Sequence, residues 1–185
     1  MSDSSKGPDL PSEPPNLYLI GFMGTGKSVV GQKVAELLRL RFMDSDQQIE
    51  ESTGLSIPEI FQQYGESHFR ELERRFVMEE QPKHGAVISC GGGLVTNPEL
   101  REIIKSMGVV VVLYASVEII LQRIAGDANR PLMKTEDPEG RIRELLQQRE
   151  SAYKDAGVGI MTDGHSIAQV AEHVVRIYLD KCAQK

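Results

Sequence analysis

The sequence predicts an α/β fold, a parallel sheet covered on both faces by helices, in one compact domain. Three observations carry this expectation. Short apolar runs alternate with segments whose apolar residues recur at helical spacing. A glycine-rich loop ending in Lys-Ser joins the first run to the first helical segment. The 185 residues leave no room for a second full domain, since one core usually takes about 100–200 residues.

Residues 1–15 hold four prolines and four serines, a composition that buries too little to offset its ordering entropy, and read as a disordered leader. The domain is expected over 16–185. Leu17–Ile20 form the first strand, and Val29, Val30, Val34, Leu37 and Leu38 mark the helix after it. Arg41–Met43 then precede a carboxylate pair, Ala86–Ser89 precede three glycines, and Val109–Tyr114 precede a helix beginning near Val117. Gly159–Met161 precede a final helix from about Ile167. Two helical stretches, Pro58–Tyr64 and Ser67–Glu80, lie where a simple crossover needs only one. They suggest an inserted substrate-binding region over about 45–80. The Gly-, Pro- and Asp-rich stretch of about 125–140 reads as a mobile lid between two helical patterns.

Composition narrows the class of function. A formal net charge of −6 disfavours the non-specific binding of nucleic acid or membrane surfaces, both of which lean on a basic surplus. Two cysteines, Cys90 and Cys182, stand far apart without metal-ligand spacing, so neither a disulfide framework nor a zinc site is expected. No segment approaches the roughly 20 apolar residues of a membrane span. A reducing cytoplasm is the natural compartment for such a chain.

The strongest motif is Gly21-Phe22-Met23-Gly24-Thr25-Gly26-Lys27-Ser28, a complete G-x-x-x-x-G-K-[ST] placed after a strand and before a helix. Its glycines let backbone N–H groups approach phosphate oxygens, and the following helix N-terminus attracts negative charge. Gly24, Thr25, Gly26, Lys27, Ser28 and Val29 are therefore expected to contact ATP. Lys27 would reach the β- and γ-phosphates, and Ser28 offers a hydroxyl to Mg2+, a hard cation that prefers oxygen.

Asp44-Ser45-Asp46 falls at the carboxyl end of the second strand, where open α/β sheets place their ligands. On an extended segment the two carboxylates would point the same way, Asp44 toward magnesium waters and Asp46 toward an acceptor hydroxyl as its base. A competing expectation makes Ser45 or Asp46 merely the cap of a following helix. Arg70 and Glu73 stand three apart and share a helix face. Arginine suits a planar carboxylate and Glu73 could orient it, while the plainer alternative is a solvated charged face with Glu66, Arg74 and Arg75. Gly91, Gly92 and Gly93 leave space for close backbone approach to a ligand. Arg130 on the lid and Arg149 on the next helix are cations suited to the charge that phosphoryl transfer spreads over three oxygens. No histidine has partner spacing for a metal or a nucleophilic triad.

Taken together, in this order and spacing from about Asn16 to Ile177, these residues resemble the shikimate kinase family. The resemblance implies a three-layer αβα sandwich with a five-stranded parallel sheet, a lid, and a monomer that uses ATP and Mg2+ to phosphorylate shikimate. It also implies that Asp46 touches the shikimate hydroxyls as base, that Arg70 and Arg149 hold its carboxylate, and that Gly92 and Gly93 close the pocket. Ile57, Phe61, Phe69 and Pro131 match the family's apolar wall, and Arg123 matches a cation lying against adenine. The family often supplies a second adenine-side cation where this chain reads Thr162-Asp163-Gly164-His165-Ser166. Another small-molecule P-loop kinase, such as a gluconate or nucleotide kinase, and a non-catalytic ATP-binding module are the alternatives.

Overall fold

The computed structural model describes Pro8, Leu10–Ala125 and Glu136–Gln184. Arg130, Pro131 and most of the expected lid lie outside the described residues, as does most of the expected leader. Five strands, β1 (Asn16–Gly21), β2 (Arg41–Asp44), β3 (Ala86–Ser89), β4 (Gly108–Tyr114) and β5 (Val158–Met161), form one sheet in the order β2-β3-β1-β4-β5. All four pairings are parallel. The fold is thus the expected α/β class, with β1 central and every one of its residues buried, as befits a strand covered on both faces.

Strand alternation divides the core into two layers. Leu17, Leu19, Val109, Val111 and Leu113 face Val30, Val34 and Leu38 of α1 (Lys27–Leu38) and Val170 and Val174 of α7 (Ile167–Cys182). Tyr18, Ile20, Ile88, Val110 and Val112 face α4 (Pro98–Met107), α6 (Pro138–Ala156) and the π-helical turn Phe76–Glu80. A third cluster joins Phe22 to Ile120 and Ile124 of α5 (Val117–Ile124) and Ile142 of α6. A fourth, separate from the sheet, is made by Ile49 of α2 (Ser45–Thr53) with Ile60, Phe69 and Leu72 of α3 (Ile57–Arg75).

The helices start where short polar side chains bond the first free N–H groups. Asp44 caps α2, Asn97 caps α4, Ser116 caps α5 and Asp137 caps α6. Ser56 with Glu59 and Ser166 with Gln169 form capping boxes on α3 and α7. Gly65 interrupts α3 with φ 78° and ψ 176°, a backbone open to glycine but strained for other residues. The two expected helical stretches of this region are therefore the two sides of one glycine break, the second running on through Glu80.

Three expectations change. Helix α4 and the short 3₁₀ turn Leu94–Thr96 occupy a stretch for which the sequence reading gave no helix. Helix α6 begins at Pro138, because Asp137 caps it, so the last residues of the expected lid are helical. The Asp44–Asp46 segment is not extended throughout: Asp44 ends β2 and Asp46 lies in the first turn of α2. Described residues of the expected leader also touch the domain. Leu10 packs on the α1–α7 cluster, Gly85 N donates to the Pro14 carbonyl at 2.7 Å, and the Tyr178 hydroxyl donates to that of Pro15 at 2.6 Å. Among the described residues no helix is long and apolar enough to cross a membrane.

Candidate active site

A cavity of about 580 Å³ opens at the carboxyl ends of the strands, where ligands of open parallel sheets sit. Its walls include Gly24, Gly26, Lys27, Ser28 and Val29 from the loop and α1, Asp44 and Asp46, Gly91 and Gly92, Arg123 and Arg149. Residues spread over most of the chain thus meet in one place.

The phosphate loop takes its shape from glycine. Gly24 and Gly26 hold φ values of 78° and 91°, which L side chains rarely adopt. A Cβ on Gly21 would stand 2.5 Å from the Leu113 carbonyl oxygen. The loop closes on itself through Thr25 N and Oγ1, both donating to the Phe22 carbonyl, at 3.3 and 2.8 Å. Lys27 Nζ arches over the loop to donate to the same carbonyl at 3.0 Å. The loop thus runs into the N-terminus of α1, with the Lys27 ammonium folded back onto it.

Ser28 Oγ donates to Asp44 Oδ2 at 2.7 Å, while Asp44 Oδ1 accepts from Asp46 N at 3.1 Å. Asp44 is therefore the cap of α2, a role the sequence left to Ser45 or Asp46, and is also the hydroxyl's partner. Ser45 is buried and its Oγ accepts from Gly91 N at 3.3 Å, tying the Asp44–Asp46 turn to the glycine triplet. Although Asp46 belongs to a helix rather than a strand, it still reaches the same cavity as Asp44.

Arg70 is held by two carboxylates. Its Nη1 donates to Glu73 Oε2 at 2.6 Å, and Nε and Nη2 donate to Glu66 Oε1 at 3.2 and 2.7 Å. Glu73 is fully buried, which decides against a merely solvated charged face. The second oxygen of Glu73 and Asp46 Oδ1 are buried with no hydrogen-bond partner among the described residues. Both stand 3.1 Å from the place a Cβ on Gly91 would occupy. Burial, then the nearby Asp44 carboxylate, pushes the Asp46 carboxyl up to about 6, against the pull of Lys27 and Arg70. Burial likewise raises Glu73 to about 7 despite Arg70.

The glycine triplet is demanded by crowding. A Cβ on Gly92 would lie 2.6 Å from both the Gly21 carbonyl oxygen and the Tyr153 hydroxyl, and one on Gly93 would lie 2.5 Å from Arg70 Nη1. Arg149 lies over the Phe22 ring, 5.6 Å from its centroid, a cation–π contact that steadies the guanidinium. Arg123 Nη1 donates to the Gly24 carbonyl at 3.0 Å and to Thr162 Oγ1 at 3.1 Å. His165, Ile167 and Val29 line a smaller recess beside it, of about 160 Å³.

The sequence reading missed Tyr153, whose hydroxyl donates to the Gly92 carbonyl at 3.0 Å. Its place four residues after Arg149, on the same helix face, was the available signal. It also missed the contact of Ser45 with Gly91 and the support under Arg149, each of which joins distant segments. Of the apolar wall, Ile57 and Phe69 pack in the α2–α3 cluster, and Phe61 stacks beside Phe69 with ring centroids 4.9 Å apart.

Comparison with known proteins agrees with this fold. The family model described as shikimate kinase matches residues 23–178. The shikimate kinase of Caldanaerobacter subterraneus subsp. tengcongensis is 44% identical over 164 residues, covering 89% of this chain and 96% of that relative. A solved structure of shikimate kinase from Acinetobacter baumannii in complex with shikimate superposes with a TM-score of 0.85 at 40% identity, covering 91% of this chain and 94% of that one. A gluconokinase from Sinorhizobium meliloti, at 16% identity and a TM-score of 0.56, shares the fold alone. On the match of the family model to most of the chain and on close, nearly full-length relatives, this protein belongs to the shikimate kinase family.

Proposed function

We propose that this chain transfers the γ-phosphate of ATP to a hydroxyl of shikimate, and that the residues gathered around the cavity divide the work. The observation that carries the reading is the convergence on one cavity of a phosphate loop, the half-buried carboxylate of Asp46 and Arg149, while Arg70, outside the cavity's walls, packs against Gly93 beside them. Gly24–Val29 cradle the phosphates, Lys27 neutralises charge on the transferring group, and Arg123 borders the adenine. Asp46 accepts the proton of the attacking hydroxyl as the oxygen–phosphorus bond forms and the bond to ADP breaks. Arg70 and Arg149 hold the acceptor's carboxylate, and Gly91, Gly92 and Gly93 let the ring approach the backbone.

The donor set at Ser28 and Asp44 fits Mg2+: a hydroxyl and a carboxylate, 2.7 Å apart, beside the place of the phosphates. Magnesium typically takes one or two protein oxygens and completes its octahedron with phosphate oxygens and waters. Ser28 would hold it directly and Asp44 through water, and the bound ion would neutralise charge on the β- and γ-phosphates. Residues 45–80 form the substrate-binding region, a reading supported by the separate small core of α2 and α3. Arg130, within the lid of 125–140, is assigned on its sequence context to the transferring phosphate. A monomer is the state that the resemblance to the family implies. The pair of distant cysteines suits a reducing cytoplasm.

The test is an ADP-release assay with ATP, magnesium and a panel of acceptors: shikimate, its neutral carboxamide and gluconate. Turnover with shikimate, with a far higher KM for the carboxamide, is expected. Equal KM values for acid and amide would remove Arg70 and Arg149 from the carboxylate, and preference for gluconate would overturn the substrate.

A further inference from the structure

The guanidinium of Arg70 has three edges, and each faces something different. The Nη1 side is held by Glu73, whose side chain is 0% exposed. The end edge, Nη1 and Nη2 together, faces Gly93 so closely that even one carbon there would lie 2.5 and 2.6 Å from the two nitrogens. No carboxylate fits in that gap. The remaining edge, Nε and Nη2, is the side-on edge that matches a carboxylate, and Glu66 occupies it through one oxygen at 3.2 and 2.7 Å. Glu66 differs from Glu73 in one decisive respect: its side chain is 66% exposed. It stands at the first position after the glycine break in α3, where the chain leaves helical geometry.

We propose that Glu66 is an exchangeable stand-in for the substrate's carboxylate. It holds the side-on edge of Arg70 in the free enzyme and is displaced when the acceptor's carboxylate takes that edge, so that Glu66 sets affinity for shikimate. This rests on the assignment of Arg70 to the acceptor's carboxylate. The exchange swaps one anion for another, so the charge on the side-on edge of Arg70 is the same before and after binding. Glu73 remains as the permanent anchor because leaving it unpaired in a buried place is costly. Glu66, by contrast, returns to water at little cost, as exposed ion pairs contribute about 0.2–1 kcal/mol.

The experiment compares steady-state kinetics of wild type, Glu66→Gln and Glu66→Ala, with circular dichroism confirming the fold of each. Both variants lose the competing carboxylate, so KM for shikimate is expected to fall about 1.5- to fivefold, the equivalent of that exposed pair. The split matters: the change belongs in KM for shikimate rather than in kcat or in KM for ATP. Simple monocarboxylates such as benzoate are expected to inhibit both variants more strongly than wild type, a response that a purely structural Glu66 would not produce. A KM for shikimate that rises, or stays the same, in both variants overturns the exchange and makes Glu66 a fixed orienting partner. Wild-type turnover of shikimate alongside that result leaves the proposed function standing, whereas no wild-type turnover overturns both.

Discussion

Asp46 and Glu73 each turn one carboxyl oxygen toward Gly91, and their protonation follows from the burial of those oxygens. Each has one buried oxygen without a partner among the described residues, and burial raises them to about 6 and about 7. A base acts only when ionised, so kcat/KM for shikimate is expected to fall as pH drops through about 6 and to level off above it. Asp46→Asn removes that acid limb and lowers kcat by about 10²–10⁴-fold, because the amide keeps the shape but accepts no proton. A variant that retains the limb, or loses less than about threefold, would return Asp46 to a helix-terminal role. The residue types of this pair were legible in the sequence. Their arrangement was less so: the expected alternation along a strand gave way to a cap at Asp44, and the burial of Glu73 depends on packing that no spacing reveals.

At the scale of elements, the site is built from strand ends and helix starts held at close quarters by glycine. Gly92 and Gly93 have no room for a methyl group, Gly92 against the Gly21 carbonyl and Tyr153 hydroxyl and Gly93 against Arg70. The backbone of Gly93 lies in the ordinary right-handed region, φ −84° and ψ −21°, so the penalty of Gly93→Ala is contact rather than strain. That variant is expected to fold, to raise KM for shikimate about tenfold or more by displacing the guanidinium, since each tenfold costs about 1.4 kcal/mol, and to spare KM for ATP. An unchanged shikimate KM would detach the triplet from the acceptor. The strand and loop order was legible because apolar runs and glycine punctuation mark it directly. Helix α4 escaped the sequence reading even though Asn97 and Pro98 form a capped start. Asn-Pro also signals a turn, and the composition alone did not choose between the two.

For the whole molecule, the same two carboxyl groups tie stability to pH. An unfolded Asp or Glu loses its proton near pH 4, whereas the native protein keeps these two protonated up to about 6 and about 7. The native state therefore holds more protons across that window, and stability is expected to fall as pH rises from about 4 to about 7 and to flatten above. Thermal unfolding of the ligand-free protein at a series of pH values checks this, and a Tm that climbs through the window would contradict it. Adding shikimate and ATP should raise Tm by mass action at any pH. The overall architecture was the most legible level, since one phosphate-loop signature between strand and helix already fixes the class of sheet. What remained hidden was how distant segments meet, as where Arg149 rests on Phe22. The most direct test of the central claim follows labelled γ-phosphate from ATP into product, for wild type and Lys27→Ala, with the product identified by mass spectrometry. Labelled shikimate phosphate from wild type and essentially none from a correctly folded Lys27→Ala is the predicted result. Transfer that survives the loss of Lys27, or label found in phosphate alone, would contradict it.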